Sequence, residues 1–220
     1  MDSSDSERLA AAARALAAEG LVRGTSGNLS LRDGHLIAVT PTGAQLAELQ
    51  AADVVVVDRE GHVVGGGLAP TSELDLHLSL YGRYDCGAVV HTHAPTATAL
   101  ACVLDELPVV HYEQLLLGGA VRVAPYQTFG SPELAAAAAD AIEGRSAALL
   151  ANHGTIAQGA TLEDALGATR LLEWVSEVYW RACVVGAPRP LDDTQVQGVI
   201  EAAVSRRYGR TRPAGGEEQQ

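Results

Sequence analysis

The chain has 220 residues, 47% of them apolar, and a chain of this size hides roughly 70% of its unfolded surface, which excludes a disulfide-stapled mini-protein and a disordered tail. Its 15 Lys+Arg against 27 Asp+Glu leave a formal charge of −12, a field that opposes a diffuse grip on nucleic acid or an anionic bilayer. The longest unbroken apolar stretches, such as Ala135–Ala139 and Ala147–Ala151, fall far short of the about 20 residues that a membrane-crossing helix needs. The acidic start, Met1 to Glu7, lacks the basic-then-apolar order of a secretory signal. Cys86, Cys102 and Cys183 show no CxxC spacing and read as small buried hydrophobes in a reducing compartment. A cytoplasmic protein built as one domain over residues 1–209, with a mobile tail over 210–220, is expected.

In chain order, Leu9, Ala12, Ala13, Leu16 and Ala17 repeat at helical spacing from Ser6 to Glu19, and Gly20 is the stop. Asn28–Leu31 and Leu36–Thr40 flank an Asp33-Gly34 turn, and Val54–Val57 and His62–Val64 flank a second turn, which predicts two antiparallel hairpins. After Pro70 the pattern alternates. Helices are predicted over Thr71–Arg83, Pro95–Leu104, Ser131–Glu143, Leu162–Val185 and Asp193–Arg207. Strands are predicted over Gly87–His91, Val121–Ala124, Ala147–Ala151 and Thr155–Gln158. This order fits a three-layer α/β/α fold with a mixed, largely antiparallel central sheet covered by helices.

Of seven histidines, three stand out. His91 and His93 are two apart at the end of a Val-rich strand, so a continuing strand projects both from one face. His153 lies in the turn Asn152-His153-Gly154. Three imidazoles with one open position make a catalytic zinc site, whereas His-x-His pairs also serve simply to bond backbone. His35 and His62 read as solvated, and His77, on the Thr71 helix one turn after Glu73, reads as a core residue in preference to a group supporting the site. Three turns, Gly24–Ser30, Thr40–Gly43 and Pro70–Glu73, combine hydroxyls with free N–H groups and can surround a phosphate. From the residues alone, Glu73 reads as an acid that favours a helix start rather than as a catalytic base.

Gly24-Thr-Ser-Gly-Asn-Leu-Ser-Leu-Arg32, Thr40-Pro-Thr-Gly43, Thr71-Ser-Glu73, Val90-His-Thr-His93, His111-Tyr112 and Asn152-His-Gly154 stand in the order and spacing of the class II aldolase/adducin family. The chain resembles that family from about Leu9 to Tyr208, and within it is most similar to the fuculose-phosphate aldolase branch. The resemblance implies a zinc-dependent retro-aldol cleavage of a ketose 1-phosphate such as L-fuculose 1-phosphate to dihydroxyacetone phosphate and an aldehyde. It implies His91, His93 and His153 as Zn2+ ligands and Glu73 as catalytic acid/base. Asn28, Thr42, Gly43, Thr71 and Ser72 match the phosphate-binding turns. Tyr112 matches a tyrosine that reaches the neighbouring subunit's active site, and Tyr208 a tail tyrosine that closes the site. The implied assembly is a C4 homotetramer with sites at subunit interfaces, and its partners are a phosphorylated sugar and other copies of the chain, with neither nucleic acid nor membrane. Thr71 stands where the aldolase pattern has serine and keeps the hydroxyl. His111-Tyr-Glu-Gln-Leu lacks the His-Ala-Asp-Tyr of related pentulose-phosphate 4-epimerases and favours an aldolase, with Glu113 keeping an epimerase as the alternative. Sugar-acid phosphate decarboxylases share similar metal motifs, and an adducin-like scaffold would lack the metal chemistry.

Overall fold

In the computed structural model, which describes residues 3–206, the chain runs α1 (Ser3–Ala18), β1 (Asn28–Asp33), β2 (Leu36–Val39), β3 (Val55–Val57), β4 (Val63–Gly65), α2 (Leu74–Arg83), β5 (Ala88–Thr92), α3 (Pro95–Ala101), β6 (Glu106–Leu107), β7 (Val121–Ala124), α4 (Pro132–Ala141), β8 (Ala147–Leu150), β9 (Gly154–Gly159), α5 (Leu162–Val185) and α6 (Asp193–Arg206). Short 3₁₀ segments lie at Leu46–Glu48, Ala51–Asp53 and Tyr112–Leu117.

The strands form one sheet in the order β4-β3-β2-β1-β5-β9-β8-β7-β6. Only β7 and β8 run parallel among the described neighbours; the other pairs are antiparallel. Alternation along each strand sends one set of side chains to each face. Leu29, Leu31, Val90, Leu149 and Ala157 join Leu9, Leu16, Leu100 and Leu172 from α1, α3 and α5. Ile37, Val39, Val89, Leu150 and Ile156 join Leu76, Leu80, Leu134 and Ala138 from α2 and α4. The result is the expected three-layer α/β/α arrangement. No helix among the described residues is long and apolar enough to cross a membrane.

Local signals explain the best-read elements. Gly34 takes φ +60 in the β1–β2 hairpin turn, as an Asp-Gly turn requires. Thr161 and Asp164 close a reciprocal capping box at the start of α5, which ends before Gly186 over the expected 162–185 span.

Several boundaries moved. β5 continues to Thr92, β9 begins at Gly154, and α3 stops at Ala101 instead of Leu104. β6 and the segment Tyr112–Leu117 carry no periodic pattern and were not anticipated. α2 begins at Leu74 instead of Thr71, because the Thr71 hydroxyl accepts from the Glu73 N–H and the Thr71 carbonyl from Leu74, making a separate turn. Only Cys86 is buried; Cys102 and Cys183 are exposed, which corrects the expectation of three buried thiols. Tyr208 and the tail 210–220 lie outside the described residues.

Register decides where the chemistry sits. Asn28 at the start of β1 pairs with His91 near the end of β5, and Thr92 pairs with Thr155 at the start of β9. One end of three adjacent strands therefore gathers Asn28, His91, His93 and the His153 turn. The N-terminus of α2 adds Glu73 from the same face.

Candidate active site

The three histidine rings stand 4.9 to 5.0 Å apart between centroids and edge-on to one another. One ligand atom from each lies within 4.8 Å of the others, and His91 Nε2 is 3.1 Å from His93 Nε2. Tetrahedral zinc with bonds of about 2.0–2.1 Å needs nitrogens about 3.4 Å apart, so this cluster can hold such an ion with small adjustments. His91 donates from Nδ1 to the Thr155 carbonyl at 2.7 Å. That bond orients the ring so that Nε2 faces the cluster and Glu73 Oε2. Burial, with the neighbouring His91 and His153, lowers His93 to about 4. Burial and the nearby His91 lower His153 as well. Both shifts favour the free base, the form that ligates a metal.

Backbone geometry delivers each ring. The strand carries His91 to the α2 side of the sheet. His93, one residue past β5, enters the cluster from the turn into α3. Two Glu173 carboxylate oxygens accept from the Thr96 and Ala97 N–H groups and hold that turn. Asn152 takes φ +54, a left-handed conformation that Asn tolerates, and so turns His153 inward. Gly154 follows where any Cβ would stand 2.3 Å from the Thr92 carbonyl and 3.0 Å from the His93 ring.

Glu73 occupies the N-cap of α2 yet caps nothing. Its Oε2 accepts from Asn28 Nδ2 at 3.0 Å and lies 3.2 Å from His91 Nε2. Its Oε1 lies 3.3 Å from His153 Nε2, is buried, and makes no hydrogen bond among the described residues. The helix-start reading of this acid is therefore set aside. Burial alone would raise its carboxyl, but the His91 hydrogen bond and charge, the Asn28 amide and His153 together hold it at about 2. An ionised carboxylate with one uncommitted buried oxygen, beside three convergent imidazoles, fits a bound cation and a proton-transfer partner.

Asn28, Glu73, His93 and His153 line a cavity of about 220 Å³ whose other wall is made by Thr25 to Gly27, Thr42, Gly43, Thr71 and Ser72. The two turns that carry Thr42 and Thr71 are stitched by a Pro41–Pro70 bridge and by the Thr42 N–H to Ala69 and Thr71 N–H to Thr40 carbonyl bonds, both 3.1 Å. That wall is built from hydroxyl-bearing and glycine residues, with no arginine among the described residues that line the cavity. Phe129 also lines it, a residue the motifs did not mark. The structure thus brings Asn28, Thr42, Gly43, Thr71, Ser72, Glu73, His93 and His153 together around one space, with His91 directly behind.

Tyr112 is elsewhere. It lines a groove against α6, stacks on His111 with centroids 4.5 Å apart, and its hydroxyl lies 3.3 Å from Glu113 Oε1. His77, read as a core residue, is fully buried as expected, but it bonds to Ser30 and to Asn28 and so reaches Glu73 at one remove. Asn28 and Ser30, two apart on one face of β1, and His77 and Tyr81, four apart on α2, meet only through the docking of α2 across β1, which no local pattern marks.

Residues 7–180 match the family described as Class II Aldolase and Adducin N-terminal domain. The chain is 43% identical over 192 residues, 86% of each chain, to a 5-methylthioribulose-1-phosphate/5-deoxyribulose-1-phosphate aldolase of Rhodospirillum rubrum. It is 37% identical over 198 residues, 89% of this chain and 93% of the other, to a 5-deoxy-D-ribulose 1-phosphate aldolase of Bacillus thuringiensis. The solved structure of an L-fuculose 1-phosphate aldolase superposes with a TM-score of 0.87 at 39% identity, covering 92% of this chain and 97% of that one. The chain belongs to the class II aldolase and adducin N-terminal domain family, and it is an enzyme of the family's aldolase type.

Proposed function

We propose that the enzyme cleaves a 5-modified ribulose 1-phosphate, 5-deoxyribulose or 5-methylthioribulose 1-phosphate in preference to L-fuculose 1-phosphate, to dihydroxyacetone phosphate and an aldehyde. The observation that carries the reading is Glu73, an ionised buried carboxylate whose free Oε1 faces a three-histidine cluster inside a cavity walled by neutral hydrogen-bond donors. The substrate preference rests on similarity: the two relatives at 43% and 37% identity are named for those sugars, and their coverage is high.

His91, His93 and His153 would hold one Zn2+, which when bound supplies a Lewis acid for the ketose carbonyl and the electron pair left on carbon. The sequence contains no lysine, so an imine on a lysine side chain is not an available way to stabilise that pair. Asn28, Thr42, Gly43, Thr71 and Ser72 bind the phosphate through neutral donors, which fixes the reacting carbons without a basic surface. Tyr112 of a neighbouring subunit takes the proton from the hydroxyl on the carbon that becomes the aldehyde. The carbon–carbon bond then breaks, and Glu73 Oε1, protonated from water as the substrate binds, delivers that proton to the resulting enediolate carbon while Tyr112 returns the one it took to water. Tyr208 closes the site from the tail. The assembly is a C4 homotetramer in the cytoplasm, a reducing compartment consistent with three free cysteines.

The test is a substrate panel of 5-deoxyribulose, 5-methylthioribulose, L-fuculose and L-rhamnulose 1-phosphates with ribulose 5-phosphate. Dihydroxyacetone phosphate from the first two, at higher kcat/KM than from the others, is expected. Xylulose 5-phosphate as the sole product would convert the assignment to an epimerase. Glu73→Gln should lower kcat by at least about 100-fold, in the range of lost acid–base catalysis, while zinc stays bound.

A further inference from the structure

Behind Glu73 a line of buried polar groups crosses from α2 to β1 and back. Tyr81 Oη lies 2.7 Å from Ser30 Oγ, which lies 2.7 Å from His77 Nδ1. His77 Nε2 lies 2.6 Å from Asn28 Oδ1, and Asn28 Nδ2 lies 3.0 Å from Glu73 Oε2. All five residues are buried, His77 and Ser30 completely.

Donor and acceptor inventory fixes the direction of every bond. An ionised carboxylate only accepts, so Asn28 donates to it from Nδ2 and presents its carbonyl oxygen to His77. His77 must then carry its proton on Nε2. The bare Nδ1 accepts from the Ser30 hydroxyl, whose single proton is thereby used, and Tyr81 donates to Ser30. Each polar atom in the line is satisfied in one arrangement. Reversal would ask the amide nitrogen of Asn28 to accept, which it cannot do. An amide cannot pass a proton along such a line either, so the array orients Glu73 and does not feed it protons.

We propose that His77 is a positioning residue: in its Nε2–H tautomer it clamps Asn28, which pins Glu73 Oε2 and leaves Oε1 as the oxygen that carries the proton. The inference rests on the reading of Glu73 as acid/base given above. The imidazole suits this duty because its two nitrogens, held in one rigid ring, engage two side chains projecting from the same face of one strand. A flexible or one-headed side chain would hold only one of them. The clamp also explains why a fully buried histidine sits between α2 and β1, where a leucine would otherwise fill the same core.

Two measurements test it on the zinc-loaded protein. In nitrogen-15 spectra of histidine-labelled protein, with the His77 signals assigned by their loss in His77→Gln, Nε2 should be protonated and Nδ1 bare. The opposite tautomer overturns the proposal. With 5-deoxyribulose 1-phosphate, His77→Leu should lower kcat about 10- to 100-fold, the size seen when a group supporting a ligand or base is removed. The fall in kcat should exceed any rise in KM, because Asn28 also serves the phosphate whereas the lost hold on Glu73 matters at the transition state. His77→Gln, which keeps an N–H donor toward Asn28, should recover most of that kcat. An unchanged kcat in His77→Leu, or equal losses in both variants with equal melting temperatures, overturns the proposal. A wild-type protein inactive on every ketose 1-phosphate sinks the aldolase reading, and the nitrogen spectrum then decides the clamp by itself.

Discussion

His77 also ties the site to stability. Burial, reinforced by the nearby His91, lowers its folded-state pKa to about 3, against about 6.5 for an unfolded histidine. At acid pH the unfolded chain therefore binds a proton that the folded chain refuses, and stability rises with pH through that window. The contribution is complete above pH 6.5 and is lost progressively as pH falls toward 3. Between pH 7 and pH 5 the linkage amounts to about 2 kcal/mol. Urea unfolding of wild type and His77→Gln at both pH values should show wild type losing about that much more stability on acidification. Equal losses would mean that His77 is not neutral in the folded protein. At this scale the sequence was partly legible. The three zinc-type histidines were readable from the strand-end spacing and motif order. Glu73 reads locally as a helix-start acid, an ordinary use for a carboxylate there, and only the contacts with Asn28 and two histidines show it turned away from the helix. The partners of His77 were not readable, because they depend on how α2 docks across β1.

At the scale of elements, long periodic segments and hairpins were the legible part. α5 and the β1–β2 hairpin follow from capping, apolar spacing and an Asp-Gly turn, all local properties. β6, two residues long, and the 3₁₀ segment Tyr112–Leu117 owe their form to tertiary contacts. Gln114, for example, bonds to the Leu107 and Pro108 carbonyls from its buried side chain. The seam where β5 hands over to β9 is the most demanding junction. Replacing Gly154 with Ala places a methyl carbon 2.3 Å from the Thr92 carbonyl and 3.0 Å from the His93 ring. Overpacking of that kind costs about 1–3 kcal/mol, and in a chain of this length each kcal/mol lowers Tm by about 2–4 °C. The same displacement moves His93, so zinc affinity should fall by about tenfold or more, the usual result of disturbing a ligand's support. Calorimetry with and without zinc checks both effects. A variant with wild-type zinc affinity would show that the glycine serves the sheet and not the ligand.

Among the described residues, one assigned residue stands away from the cavity. Tyr112 is 42% exposed in a groove against α6, on a surface that also shows Leu116, Ile200 and Val204. Trp174 and Trp180 are exposed along α5, with the His111 ring edge-on to Trp174. These exposed apolar side chains suit burial against other copies in the assembly proposed above. A tyrosine presented there can complete a neighbour's site, and subunit mixing distinguishes that from service to its own. Glu73→Gln and Tyr112→Phe should each be strongly impaired alone. If Tyr112 acts across the interface, a protomer carrying Tyr112→Phe keeps its own Glu73 and receives an intact tyrosine from a Glu73→Gln neighbour. Unfolding and refolding the two variants together should then restore a fraction of wild-type activity, with sedimentation showing the same assembly throughout. If both groups served the same chain, every mixed site would lack one of them and no activity would return.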